Sequence, residues 1–308
     1  MVMPKNILES NNNITPSIDI MFVNKIPFVK TINRHIKFTT VEVIQKRTRS
    51  QLSECIKNVV AVYTQRGFKV NHALLDGEFV PLHTDLLNMG ILANFATRNE
   101  HVPEIERQHR VIKERARACR STLPFEVLPR LLLVEMVNNC ALWINMFPAK
   151  GGISNVSPRT LMTGIRLDYS KHCRLPFGSY VQVHDEPIPT NSPTARTIEA
   201  ITLGPTGNLQ GGYKFLNLRT GKKITRRNWT HLPMPIEVIE RVNKIGTAQG
   251  KPKLPTFQDH HGHYNSDLDP YFQPTDHEIE GVVDDEPVEE NIEDDHEDTN
   301  NDPAYKGE

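Results

Sequence analysis

The N-terminal third of the chain is built from short apolar blocks separated by turn residues. Ser17–Val23, SIDIMFV, is an almost unbroken apolar run with one acid, Asp19, inside it, and it predicts a buried strand. Asn24-Lys25 predicts a tight turn. Ile26–Ile32 predicts a second strand, with Pro27 at its entry, where a missing N–H is tolerated. Ile36–Val43 predicts a third, with Phe38, Val41 and Val43 as its apolar positions. Three strands this close together predict an antiparallel meander.

The period then changes. Leu52, Ile56, Val59 and Tyr63 recur at helical spacing within Ser50–Arg66, and Gly67 suits the residue just past a helix end. Phe68–Phe79, FKVNHALLDGEF, predicts a fourth strand that finishes at Asp76-Gly77-Glu78. A short helix is expected near Thr84–Met89, closed by Gly90, and a fifth strand at Ile91–Ala96. His101–Arg120 is the clearest helix. Pro103 suits its first turn, and Ile105, His109, Ile112, Ala116 and Cys119 make a narrow packing seam. A further helix is expected at Pro129–Met146. Ser157-Pro158 predicts another helix start, Ser as cap and Pro in the first position.

This order of strands and helices is that of a ribonuclease-H-like α/β domain, a mixed five-stranded sheet with helices, expected over residues 14–170. Residues 1–13 are polar and Asn-rich and read as a flexible lead-in. From Lys171 the texture changes. Phe177–Val183, Ala195–Leu203, Gly212–Leu218 and Lys223–Trp229 predict short strands, with turns at Gly204-Pro205-Thr206-Gly207 and Thr220-Gly221. They predict a small SH3-like antiparallel β barrel over 171–250, with a terminal helix near Ile236–Ile245. Pro, Asp, Glu, His and Asn dominate 251–308, which reads as a disordered acidic tail.

Charge sharpens that division. The formal net charge of the 308 residues is only −1. Residues 254–308, however, hold 18 Asp plus Glu against one Lys, Lys306, a net of −17. The remaining 19 acids and 35 bases give residues 1–253 a net of +16. A body that basic is a candidate partner for nucleic acid. The four cysteines, Cys55, Cys119, Cys140 and Cys173, have no CxxC spacing, which argues against a structural zinc site, a thiol redox motif or a disulfide framework. The first residues carry no apolar signal core, and no run is long enough to span a membrane.

The candidate chemistry follows from the topology. A ribonuclease-H-like fold brings the first strand beside the fourth, so Asp19, Asp76 and Glu106, on the following long helix, can converge. Carboxylates held together repel one another unless a divalent cation neutralises them. Mg²⁺ takes oxygen ligands and keeps waters or phosphate oxygens in its shell. A pair of such ions about 4 Å apart can drive in-line displacement at phosphorus. Glu106, Arg110, Lys113, Arg117 and Arg120 also share one helical spacing, a carboxylate at the head of four cations that could track a phosphate backbone. Glu78 is an alternative ligand to Asp76, and Glu104 competes with Glu106. Asp76-Gly77 could instead be a simple turn, and the cationic stripe a solvated helix face. GPTGNLQGG (204–212) lacks the context of a phosphate-binding loop. The histidines His260, His261, His263 and His277 lie in the acidic tail, a setting for adventitious metal. Asp284-Asp285 has no polymerase-sized domain around it.

SIDIMFVNKIPF, LLDGEF, EHVPEIERQHRVIKERAR, the LPF…LPRLLLVEMVNNCALWINMFP block and SPRTLMTG together resemble the integrase region of copia-type retrotransposon polyproteins, in particular the divergent kind of diatom genomes. The resemblance covers about residues 3–245. It implies a DDE-type integrase core with Asp19, Asp76 and Glu106 as catalytic and metal-binding residues and two Mg²⁺ or Mn²⁺ ions with substrate. It implies DNA contacts by Arg110, Lys113, Arg117 and Arg120, partners in element ends and target DNA, a homo-multimer, and a nuclear location or a cytoplasmic particle before nuclear entry. No small-molecule substrate and no membrane are expected. A second reading is a catalytically inactive remnant that only binds nucleic acid. The sequence departs from the family pattern around the site. The interval from Asp76 to Glu106 is shorter than usual, DGEF stands where many such elements have DNGGEF, and EHVPE replaces the usual PQQNG.

Overall fold

A computed structural model describes residues 3–96, 103–153, 155–184, 195–253 and 256–258. The chain divides into two units, Met1–Leu268 and Asp269–Glu308. The second unit, all four tail histidines and the Asp284-Asp285 pair lie outside the described residues, as do the side chains of Pro103 and Glu104.

The expected flexible lead-in carries structure of its own. Helix α1 (Lys5–Ser10) buries Ile7, and β1 (Asn13–Ile14) pairs in parallel with β5 (Lys69–Val70). The main sheet starts at β2 (Pro16–Val23), which turns through Asn24 and Lys25 into β3 (Ile26–Asn33), followed by β4 (Thr39–Val43). Both turn residues have left-handed backbones, φ 48° and 60°, as a two-residue hairpin matched to strand twist requires. After α2 (Arg49–Thr64) come β6 (His72–Leu75), a 3₁₀ helix at Gly77–Leu82, α3 (His83–Asn88) and β7 (Leu92–Phe95). The strand order is β4-β3-β2-β6-β7. The first three strands are antiparallel, and β2, β6 and β7 are parallel. That is the mixed five-stranded sheet expected from the sequence, with the first strand beside the fourth.

The fourth strand differs from expectation. It breaks after Val70 and ends at Leu75, and GEF belongs to the 3₁₀ helix. The cause is local: the Asp76 carboxylate accepts the Gly77 N–H at 2.7 Å, and the Phe79 N–H returns to the Asp76 carbonyl. Such short-range bonds compete with ladder pairing.

Alternation on β2 sends Ile18 and Ile20 to one face, where they join Ile56, Val59 and Tyr63 of α2. Met21 and Val23 point to the other, against Ile112 and Ala116 of α4 (Pro103–Ser121) and the apolar side chains of α5 (Arg130–Met146). The polar side of α5 is small because a second sheet covers it: Ile201, Leu203 and Leu216 join the same core. Between them, Ser157 caps α6 (Pro158–Thr163), accepting the Thr160 N–H as its sequence predicts, and Gly164 closes it at φ 73°.

Beyond α7 (Tyr169–His172) lie β8 (Tyr180–His184), β9 (Thr197–Pro205), β10 (Tyr213–Asn217), β11 (Lys223–Arg226) and β12 (Trp229–His231). They form an antiparallel sheet in the order β11-β10-β9-β8-β12. Its two edge strands are joined by Arg227 and Asn228 alone, a link that spans about 10 Å at most. The sheet must therefore coil until its ends approach. Helix α8 (Ile236–Ala248) packs Val238 and Val242 onto the α5 layer. The chain then returns to the first sheet. Thr256 donates its N–H and hydroxyl to the Asn24 side-chain oxygen, and β13 (Phe257–Gln258) pairs with Val23 and Phe22 of β2.

One side chain ties the edge of the first sheet to α5. Asn145, buried, accepts the Thr39 N–H at 2.9 Å and donates to the Thr39 carbonyl at 2.6 Å, standing in for a further strand. Asn145→Ala should cost about 2–4 kcal/mol, because two buried backbone groups lose their partner. Chemical denaturation measures this, and a cost near that of an exposed Asn→Ala change would refute the role.

Candidate active site

The parallel register of β2 and β6 pairs Ser17 with Leu74 and Ile18 with Leu75. One step further, Asp19 and Asp76 are neighbours. Adjacent strands lie about 4.8 Å apart, and Asp76 keeps an extended backbone (φ −73°, ψ 161°). Both acids therefore occupy the face of the sheet covered by α4. Each spends one oxygen locally: Asp19 Oδ1 accepts the Ile20 N–H at 2.6 Å, and Asp76 Oδ1 accepts that of Gly77.

Helix α4 crosses this face and is tethered there by a residue the sequence reading passed over. Lys30, the partner of Asp19 on β3, is fully buried, and its Nζ donates to the Ile105 carbonyl at 2.9 Å. That bond holds the turn of α4 that carries Glu106. Burial drives the Lys30 amine well below its ordinary value; Asp19 opposes this, and Lys113 adds to it. His109, one turn beyond Glu106, brings Nε2 to 3.6 Å from Asp19 Oδ2. This is too long for a hydrogen bond, and the buried Nε2 has no hydrogen-bond partner. Its imidazole is held well below the usual histidine range, first by burial and then by Lys30 and Lys113.

The expected ligands are placed unequally. Asp19 and Asp76 come together through the register. Glu106 is exposed on α4, and positions i and i+3 are helix neighbours about 5–6 Å apart, so it stands one turn from the His109 that meets Asp19. Glu78, the alternative, pairs with Arg47. Among the described residues no group of three or more His, Cys, Asp or Glu side chains is disposed to hold a metal ion. The donor chemistry of Asp19 and Asp76 suits a hard divalent ion.

The four cations of the stripe meet different surroundings. Arg110 is exposed, but Lys113 is buried and Arg117 half-buried. Arg120 donates to the carbonyls of Leu123, Glu126 and Lys253, bracing the α4–α5 connection. Helical spacing groups these residues on one face, and the sheet and the α4–α5 turn then cover most of it. His109 was legible only as a seam position. Lys30 left one signal, a cation inside an apolar strand.

No protein-family model matches the chain, and no curated protein matches it. Among solved structures, the catalytic core domain of BIV integrase aligns with 49% of this chain and 93% of its own, at 18% identity and a TM-score of 0.38. The HTLV-2 integrase catalytic core domain, in complex with magnesium and in a trimeric form, aligns with 49% and 96%, at 14% identity and a TM-score of 0.37. Among the described residues no helix is long and apolar enough to cross a membrane.

The buried amine gives a test in solution. The unfolded chain holds the Lys30 proton up to about pH 10.4, whereas the fold disfavours it. The folded state therefore gains stability as pH rises toward that value. Denaturant stability of the wild type should climb more steeply between pH 7 and 10 than that of Lys30→Met. Equal slopes would show that Lys30 is not buried as described.

Proposed function

We propose that the chain is an integrase fragment whose core carries out metal-dependent DNA strand transfer, with Asp19, Asp76 and Glu106 as the ligands of Mg²⁺ or Mn²⁺. The observation that supports this best is the β2/β6 register, which sets Asp19 beside Asp76 on the face crossed by α4. Glu106 lies one turn from the residue that meets Asp19. A divalent pair held there would activate an attacking 3′-hydroxyl and stabilise the leaving oxygen. The protein's own part is to hold and orient. Asp19 sits on the central strand β2, fixed by packing on both faces, and Asp76 directly follows the end of its neighbour β6. Lys30 fixes the height of the Glu106 turn. Arg110, exposed one turn beyond Glu106, would guide a DNA end by its phosphates. In this reading the coiled second sheet is a small SH3-like barrel, the DNA is that of a retroelement and its target, the working form is a homo-multimer, and the site of action is the nucleus.

The second reading, a catalytically silent nucleic-acid binder, is favoured by one observation: no three metal ligands converge among the described residues. Strand transfer by the full chain with Mn²⁺ separates the two. Asp76→Asn and Glu106→Gln should each lose about 100-fold or more. If the wild type is inactive, or matches both variants, the silent reading stands. DNA affinity tests the contact assigned to Arg110. Arg110→Ala should reduce the slope of log K against log salt by about 0.9, the share of one phosphate. An unchanged slope would remove Arg110 from the interface.

A further inference from the structure

We infer that the chain after α8 is a strap that positions α4, and with it Glu106, over the sheet, and that Asn24 is the positioning residue that secures it. The inference rests on the reading of Glu106 as a site residue. The sequence places residues 251–308 in a disordered tail. The structure instead carries residues 249–253 and 256–258 past the end of α4 and back to β2, the strand that holds Asp19.

The strap is seated by matched polar groups at each step. On α8, the Asn243 side-chain oxygen accepts the N–H groups of Glu126 and Val127 at 2.8 and 3.1 Å. The helix lies so close to this α4–α5 connection that a Cβ on Gly246 would meet the Val127 carbonyl oxygen at 2.8 Å. Gln249 Oε1 accepts the Arg130 N–H at 2.7 Å, one of the donors that the start of α5 leaves without a helical partner. Arg120, in the last turn of α4, donates to the Lys253 carbonyl at 3.4 Å. At the far end Asn24, itself buried, donates its N–H to the Thr256 carbonyl at 2.8 Å, and its side-chain oxygen accepts the Thr256 N–H and hydroxyl. β13 then pairs with Val23 and Phe22, and so meets β2 within one turn of chain from Asp19.

Helix α4 is thus held at both ends and in the middle. Lys30 holds its first turns through the Ile105 carbonyl, and the strap holds its last turn through Arg120. Ile112 and Ala116 seat its middle against Met21 and Val23. Glu106 and Arg120 lie about 21 Å apart along this rod. With the seated middle as a pivot, a shift of about 1 Å at Arg120 moves Glu106 by about as much in the opposite sense. Misplacement on that scale can cost a reaction about 100-fold.

The test uses the full chain with Asn24→Gly and Asn24→Asp. Glycine keeps the left-handed backbone of this position, φ 48°, and removes only the side-chain acceptor. Aspartate keeps the acceptor and also tolerates that backbone. Amide hydrogen exchange along α4 is the first readout. In Asn24→Gly the amides of residues 107–112 should exchange about tenfold faster than in the wild type, and Asn24→Asp should restore them. Strand transfer with Mn²⁺ is the second. Asn24→Gly should lose about tenfold or more in kcat with an unchanged KM for DNA, and Asn24→Asp should recover it. Faster exchange confined to residues 22–24 and the α4–α5 connection would show a local seat only and overturn the inference. Faster exchange at 107–112 with an unchanged kcat would overturn it too. A wild type without strand transfer would remove the integrase reading, and the exchange pattern alone would then uphold or overturn the strap.

Discussion

The parallel pairing of β2 with β6 is the constraint on which the rest depends. β2 is buried on both faces, so a slip of one residue would turn Ile18 and Ile20 out of the α2 core and Met21 and Val23 out of the α5 core. Packing therefore fixes the register far more strongly than the few ladder bonds do. That register decides which acid stands beside which. Asp19 and Asp76 are neighbours because two hydrophobic cores agree on where β2 must lie.

Placing an acid in such a strand has a cost that the fold meets with nearby polar groups. Asp19 is surrounded by its own backbone neighbour, by Lys30 across the ladder and by His109 and Lys113 from the helix above. A buried charge needs partners, and breaking such a set costs more than forming it gains. The same groups perform the positioning. Lys30 holds α4 by the Ile105 carbonyl, and α4 in turn brings Glu106 and His109 over the sheet. Stability and site geometry are here one network, so a change at Lys30 is felt at a carboxylate it does not touch.

Much of the fold was legible in the chain. The apolar runs, the Asn24-Lys25 turn, the Leu52–Tyr63 stripe, the α4 seam and the Ser157 cap depend on local steric and hydrogen-bonding rules, and each stands where the sequence placed it. The fourth strand was misread at its end because Asp76 bonds its own neighbour more cheaply than it extends a ladder. The second sheet was anticipated as four strands, but Lys223–Trp229, read as one, is split between its two edges as β11 and β12, and its shared core with α5 was not foreseen.

The sequence by itself determined which residues can share a face, because period and turn chemistry are properties of neighbours along the chain. It could not determine what covers that face. Arg110, Lys113, Arg117 and Arg120 have the same helical spacing, yet one is exposed, one buried, one half-buried and one bound to carbonyls of the α4–α5 connection and of Lys253. The tertiary structure decided that, and with it the company of Asp19. Lys30 and His109 lie 11 and 90 residues from it along the chain, and only the packing of α4 across β2 and β3 brings all three together.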